Sequence, residues 1–129
     1  MALKMNAVLV MGLAILSLFS VASAISGTAS YYTQYTPSAC YGNQDEGTMI
    51  AAASDPIYNN GAACGKMYKV TCTSSTNSVP ACKGGSVTVK IVDRCPSPGC
   101  RATLDLSQEA FSTIANTDAG IINIDYVQV

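Results

Sequence analysis

The chain has 129 residues, seven of them basic and eight acidic, for a net charge of −1 with no histidine. That length holds one domain, and so even a balance, with no cluster of Lys and Arg, argues against nucleic acid or an anionic membrane as the main partner. Without His, acid–base chemistry near neutral pH is left to carboxylates and tyrosines.

The first elements in chain order are those of a secretory signal peptide. Lys4 supplies the positive start, Ala7 to Leu18 is almost unbroken apolar sequence, and Val21-Ala22-Ser23-Ala24 offers an A-x-A cleavage site before Ile25. The apolar run is short for a membrane span and ends in small residues. Residues 1–24 are therefore expected to be cleaved, leaving 25–129 as a secreted domain with six basic residues against eight acidic ones.

Beyond Ala24 the pattern is one of short strands and turns. Thr28-Ala29-Ser30-Tyr31-Tyr32 is β-prone, a polar loop rich in Pro and Gly runs from Thr36 to Gly47, and Thr48 to Ala53 is small and apolar, consistent with a buried strand. Asn59-Asn60-Gly61 is a turn signal because Asn and Gly tolerate positive φ. Lys66 to Cys72 alternates like a strand with one wet face, and Thr73 to Gly85 follows as a polar loop. Ser86 to Asp93 is the clearest strand, with Val87, Val89 and Ile91 on one face and Thr88, Lys90 and Val92 on the other. Ser107 is a natural N-cap for one helix, whose Leu106, Ala110, Phe111 and Ile114 form an apolar stripe. Asn116 to Gly120 ends that helix, and Ile121 to Val127 is a last strand. About six strands and one short helix near the C-terminus predict a mostly β domain, closed into a small barrel that leaves no exposed edge.

All six cysteines, Cys40, Cys64, Cys72, Cys82, Cys95 and Cys100, lie after the leader. An even number in a secreted chain reads as disulfides, although spacing alone selects no connectivity. Zinc is disfavoured because there is no His and no C-x2-C pair, and nothing in the sequence asks for another metal or a cofactor.

Two aspartates, Asp93 and Asp105, close two predicted strands on either side of a short loop bearing Cys95 and Cys100. They are the candidate functional acids. Asp93 has an ordinary alternative, a salt bridge to Arg94 or Arg101 or a turn cap. Asp105 has one too, as an acceptor for backbone N–H groups just before the Ser107 cap. Tyr31 and Tyr32 alternate to opposite faces, so at least one is core; Tyr35 and Tyr41, in the loop, are better placed at the surface.

At these residues the chain resembles a known family. Gly27-Thr28-Ala29-Ser30-Tyr31-Tyr32, Ala39-Cys40-Tyr41-Gly42, Asn60-Gly61-Ala62-Ala63-Cys64-Gly65, Val92-Asp93-Arg94-Cys95-Pro96 and Leu104-Asp105-Leu106-Ser107 occur in register, followed by Ala110-Phe111, Ile114-Ala115 and Asp118-Ala119-Gly120. They are similar to the first domain of expansins, to barwin and rare-lipoprotein-A barrels, and above all to short plant EG45-like, natriuretic-peptide-like proteins. The resemblance covers essentially all of 25–129. It implies a six-stranded double-psi β-barrel with Cys40–Cys64, Cys72–Cys82 and Cys95–Cys100 paired. It places Asp93 and Asp105 in a groove, with Ser30 and Tyr31 on its floor; Tyr35 and Tyr41 join these as candidate binding residues.

The same resemblance speaks against hydrolysis. Family-45 endoglucanases use a second aspartate in the first strand as base, where this chain has Tyr31-Tyr32-Thr33 and no acid between Ile25 and Tyr41. The His beside the catalytic acid is absent in Thr103-Leu104-Asp105, the chain has no Trp, and the second, cellulose-binding domain of expansins is expected to be missing. The function implied is a secreted, non-enzymatic, monomeric protein of the apoplast. It would act in water and ion balance or stress signalling through a cell-surface receptor. The alternative is a single-domain expansin-like protein that binds or loosens cell-wall polysaccharide through the Asp93/Asp105 groove. A lytic or hydrolytic glycan enzyme with Asp105 as its sole acid is the weakest reading.

Overall fold

The computed structural model describes residues 23–129; all but the last two residues of the expected leader lie outside the described residues. Six strands form the body: β1 (Ile25–Tyr32), β2 (Ile50–Ser54), β3 (Met67–Ser75), β4 (Ser86–Cys95), β5 (Leu104–Ser107) and β6 (Ile122–Gln128). They close into a barrel in the order β1-β5-β2-β4-β3-β6. β1 runs parallel to β5 and β2 to β4, while the other four pairings are antiparallel. The expected mostly β, six-stranded closed barrel is the fold observed.

Alternation builds the core. Ala51 and Ala53 of β2, Val87, Val89 and Ile91 of β4, Leu104 and Leu106 of β5 and Ile122 and Ile124 of β6 all point inward and are buried. Helix α2 (Gln108–Ile114) closes one part of the barrel with Ala110, Phe111 and Ile114, all fully buried. Its start is fixed as its sequence predicts, the Ser107 hydroxyl accepting from the Ala110 N–H at 3.0 Å. The Phe111 ring packs on Tyr31 with centroids 4.9 Å apart.

Three features depart from simple alternation. Val92 is buried although it follows the buried Ile91. Ala51 pairs with Ile91 but Ala52 pairs with Asp93, so Val92 is an extra residue in β4, a β-bulge. The loop residue Cys40 donates its N–H to the Val92 carbonyl at 3.0 Å, laying the 36–47 loop over this point. Secondly, β3 continues to Ser75, taking three residues from the expected loop because Ser74 and Ser75 find partners in Asn123 and Ile122.

Thirdly, the helix near the C-terminus is joined by an additional helical turn, α1 (Asp55–Tyr58), which continues into a 3-10 turn over Asn59–Gly61. Four residues are too few to show a helical period; Pro56, in the first turn, was the available signal. The expected turn at Asn59-Asn60-Gly61 is where α1 ends, with both asparagines at positive φ, 47° and 53°. The disulfides are Cys40–Cys64, Cys72–Cys82 and Cys95–Cys100. Among the described residues no helix is long and apolar enough to cross a membrane.

Candidate functional site

Strand register assembles the site. Ser30 of β1 lies opposite Asp105 of β5, Asp105 opposite Ala52 of β2, and Ala52 opposite Asp93 of β4. Neighbouring strands are about 4.8 Å apart, so this row crosses four strands over roughly 14 Å. Ala51 and Ala53 belong to the core, and Ala52, between them, faces out with the row. A methyl group is thus the floor between two carboxylates. The bulge at Val92 makes this arrangement work: in a regular β4, Asp93 would share the inward parity of Val87, Val89 and Ile91, and the extra residue turns it outward.

Each carboxylate is anchored through one oxygen. The Ser30 hydroxyl donates to Asp105 Oδ1 at 2.9 Å. The backbone N–H groups of Ala39 and Arg94 both donate to Asp93 Oδ1 at 2.9 Å. Next to the row, Thr28 and Thr103 bind each other's backbone, the Thr28 N–H donating to Thr103 Oγ1 at 3.0 Å. Gly27 allows this approach: a Cβ there would lie 2.7 Å from Thr103 Oγ1.

Tyr32, two residues beyond Ser30, shares the outward face. Its ring meets that of Tyr35 edge-on at 5.2 Å. Tyr35 in turn donates its hydroxyl to Glu109 and accepts from the Gln108 N–H, tying it to the first turn of α2. Burial pushes the Tyr32 phenol above the ordinary tyrosine range, and the negative charges of Asp93 and Asp105 push it further.

Burial also raises the Asp105 carboxyl, against the Ser30 hydrogen bond and the Arg101 charge, with Asp93 adding to the rise. A carboxyl raised in the folded state favours folding below its unfolded pKa, and that contribution is lost as pH rises through the folded value. Asp105→Asn should therefore stabilise the domain at pH 7, an effect softened by the partly open groove. The gain should vanish near pH 3 to 4, about the ordinary aspartate pKa. Urea unfolding of both proteins across that range measures it.

The structure brings Ser30, Asp93 and Asp105 together, with Tyr35 adjoining through Tyr32. It does not bring Tyr31 there: that ring faces inward onto Phe111, and Tyr32 stands on the groove side instead. Strand alternation already paired Ser30 with Tyr32. Tyr41 lies elsewhere, under Lys90, whose Nζ sits 4.7 Å from the ring centre and is bound by Glu46. Asp93 makes its hydrogen bonds as a turn cap, since Arg94 reaches across to Asp55 of α1 (Nε to Oδ1 2.6 Å, Nη2 to Oδ2 3.2 Å). Asp105 is held by the Ser30 side chain in place of the expected backbone N–H groups. Ala52 was invisible as a site residue because only the register of β2 against both neighbours reveals it.

Comparison with known proteins agrees with this geometry. Residues 50–126 match the double-psi β-barrel family described as lytic transglycolase. The chain is 60% identical over 110 residues to putative EG45-like domain containing protein 1 of Arabidopsis thaliana, covering 84% of this chain and 87% of that one. It is 57% identical over 119 residues to the EG45-like domain containing protein of Citrus jambhiri, covering 90% of each. Among solved structures, an Asp-to-Asn variant of the Clavibacter michiganensis expansin in complex with cellohexaose superposes with a TM-score of 0.63 at 31% identity. That match covers 83% of this chain and 50% of the expansin, so the chain corresponds to half of that protein. The family match, the sequence identity to curated relatives and the superposition agree, and the chain belongs to the EG45-like proteins of the double-psi β-barrel superfamily, relatives of the expansins.

Proposed function

We propose that this protein works outside the cell as a non-hydrolytic, polysaccharide-contacting barrel, the ligand lying along the Ser30–Asp105–Ala52–Asp93 row. The observation that carries this reading is the outward pair of carboxylates flanking a methyl floor, on a barrel related to an expansin studied with cellohexaose. Carboxylates are strong acceptors for sugar hydroxyls, and the small Ala52 leaves room between them. Inverting hydrolysis requires an acid and a base on opposite faces of the sugar. Here both acids rise from one sheet face, so a sugar resting on it meets both from the same side. No acid stands on β1 to act from another wall.

The test is a pull-down on insoluble cellulose and xylan, with titration of cellohexaose. The wild type should bind, and Asp93→Asn/Asp105→Asn should lose at least about tenfold, or ~1.4 kcal/mol. Equal binding by the double variant would remove the groove from the account. Release of reducing sugars by the wild type, lost in Asp105→Asn, would show an enzyme instead.

A second reading is a receptor-directed signal in water and ion balance or stress responses. It is favoured by the irregular, exposed surface around the 36–47 loop and α1, which is held in shape by Cys40–Cys64 and the Asp55–Arg94 pair. In this case Asp105→Asn leaves a cell-swelling response intact and polysaccharide binding is undetectable in the wild type.

A further inference from the structure

The core runs out before the strands do at one end of the barrel. Ile25 of β1 is paired with Tyr126 of β6, and Tyr126 with Val70 of β3, so all three side chains share the inner face. Val70 is fully buried and Tyr126 nearly so, yet Ile25 is 57% exposed although it faces inward. One step further out, Tyr68 is paired with Gln128 on the same inner face. Here the barrel opens into a mouth.

That mouth is a hollow of about 410 Å³, a size that suits a small molecule, and barrel mouths are favoured places for such sites. Tyr68 and Tyr126 give it an aromatic wall, their ring centroids 6.0 Å apart and their planes tilted by 59°. α1 adds a second wall with Pro56 and Ile57, and Asn59 stands at the lip. The polar groups are the two phenols and the Asn59 and Gln128 amides, and none of these side chains makes a hydrogen bond among the described residues. Only the Tyr32 hydroxyl is both buried and unpaired there, so the Tyr68 and Tyr126 hydroxyls open to solvent, within a ligand's reach.

The lining selects by chemistry. Among the described residues no charged side chain lines the hollow, and Asp55, beside Pro56, is held by Arg94. A charged ligand would lose hydration there without an ion partner. A sugar, with a hydroxyl on almost every carbon, would set several of them unpaired against Ile25, Pro56 and Ile57. A flat ring ending in hydroxyls matches both parts: its faces meet the tyrosines and aliphatic groups, and its hydroxyls meet the phenols and amides.

We infer that the barrel mouth is a second binding site, for a neutral single-ring phenol or aromatic alcohol. The carboxylate row lies on the outer face, with Ser30 roughly 16 Å along β1 from Ile25. The mouth therefore stands independently of the polysaccharide reading. Cleavage before Ile25, as the leader predicts, would take Ser23 from the rim and leave an ammonium in open solvent, where a charge pair is worth little.

The probe is 4-hydroxybenzyl alcohol. Calorimetric titration at pH 7 should give a Kd of ~0.1–1 mM, with saturable NMR shifts at the Ile25, Tyr68, Tyr126 and Gln128 amides. Tyr68→Leu, which removes the ring and keeps apolar bulk, should bind about tenfold more weakly, and Ile57→Ala, on the α1 wall, about fivefold. Should Tyr68→Leu fail to fold, Ile57→Ala alone decides. Ionised 4-hydroxybenzoate and methyl glucoside should each bind at least about tenfold more weakly than the alcohol. Equal binding by either one overturns the assigned ligand class. Absence of saturable shifts at the mouth, shifts confined to the carboxylate row, or full affinity in either folded variant overturns the site. A concentration-dependent dimer that moves the same amides makes the mouth a contact between copies and overturns it as well.

Discussion

Full reduction of the disulfides is expected to unfold the barrel without denaturant. The bridges join residues 24, 10 and 5 apart in sequence. Treated as closed loops they remove roughly 3.5, 2.8 and 2.2 kcal/mol of unfolded-chain entropy, about 8 in total. A domain of this size typically has a net stability of about 5–15 kcal/mol, so the bridges account for most of the margin. The effects should be graded. Replacing Cys40 and Cys64 together by Ser should cost the most, because it frees the long loop over β4 from the Asn59–Gly61 turn. The Cys72–Cys82 bridge has backbone support, with Asn116 and Lys83 donating to the Ala81 and Ile114 carbonyls at 2.8 Å. Cys95–Cys100 closes only the short link into β5 and should cost least. Urea midpoints of the three double-Ser variants give the order, and a reversed order would show that strain or residual structure outweighs loop entropy.

Phe111→Ala should be the most damaging single core substitution, at about 3–5 kcal/mol. Phe111 heads the largest fully buried side chains and bridges α2 to β1 through Tyr31. Truncation leaves a cavity between helix and barrel, and the melting temperature should fall by more than ~12 °C. The damage should also reach the groove. Gln108 and Glu109, on the same short helix, hold the Tyr35 hydroxyl, and Tyr35 braces Tyr32. Near-ultraviolet circular dichroism of the tyrosines would report that loosening before global unfolding.

Much of the fold is legible in the residues themselves because it depends on local chemistry. The Val87–Val89–Ile91 alternation, the Ser107 cap, the left-handed asparagines at 59 and 60 and the even number of cysteines each carry a signal that needs no partner, while the pairing of those cysteines followed only from the resemblance. What the sequence concealed depends on partners. α1 is too short to establish a period. The last residues of β3 have a polar, loop-like composition and become strand only because β6 is there to receive them. The groove was half visible: Ser30, Asp93 and Asp105 could be named, while the exchange of Tyr31 for Tyr32 follows from the inward pull of Phe111. Ala52 has no chemistry to announce itself, and its place emerges only when two registers are known together.

The bulge at Val92 has a consequence for how this surface can change. Whether Asp93 meets solvent or the core depends on a count of residues, odd or even, and not on which residues they are. Removing one residue between Ile91 and Asp93 would leave the composition of β4 almost untouched and yet drive a carboxylate toward the apolar interior. Substitutions can drift along this strand with graded effects, but length cannot. The groove is therefore protected by arithmetic: the reading frame of the pleat is a constraint on insertions and deletions that side-chain identity alone would never disclose.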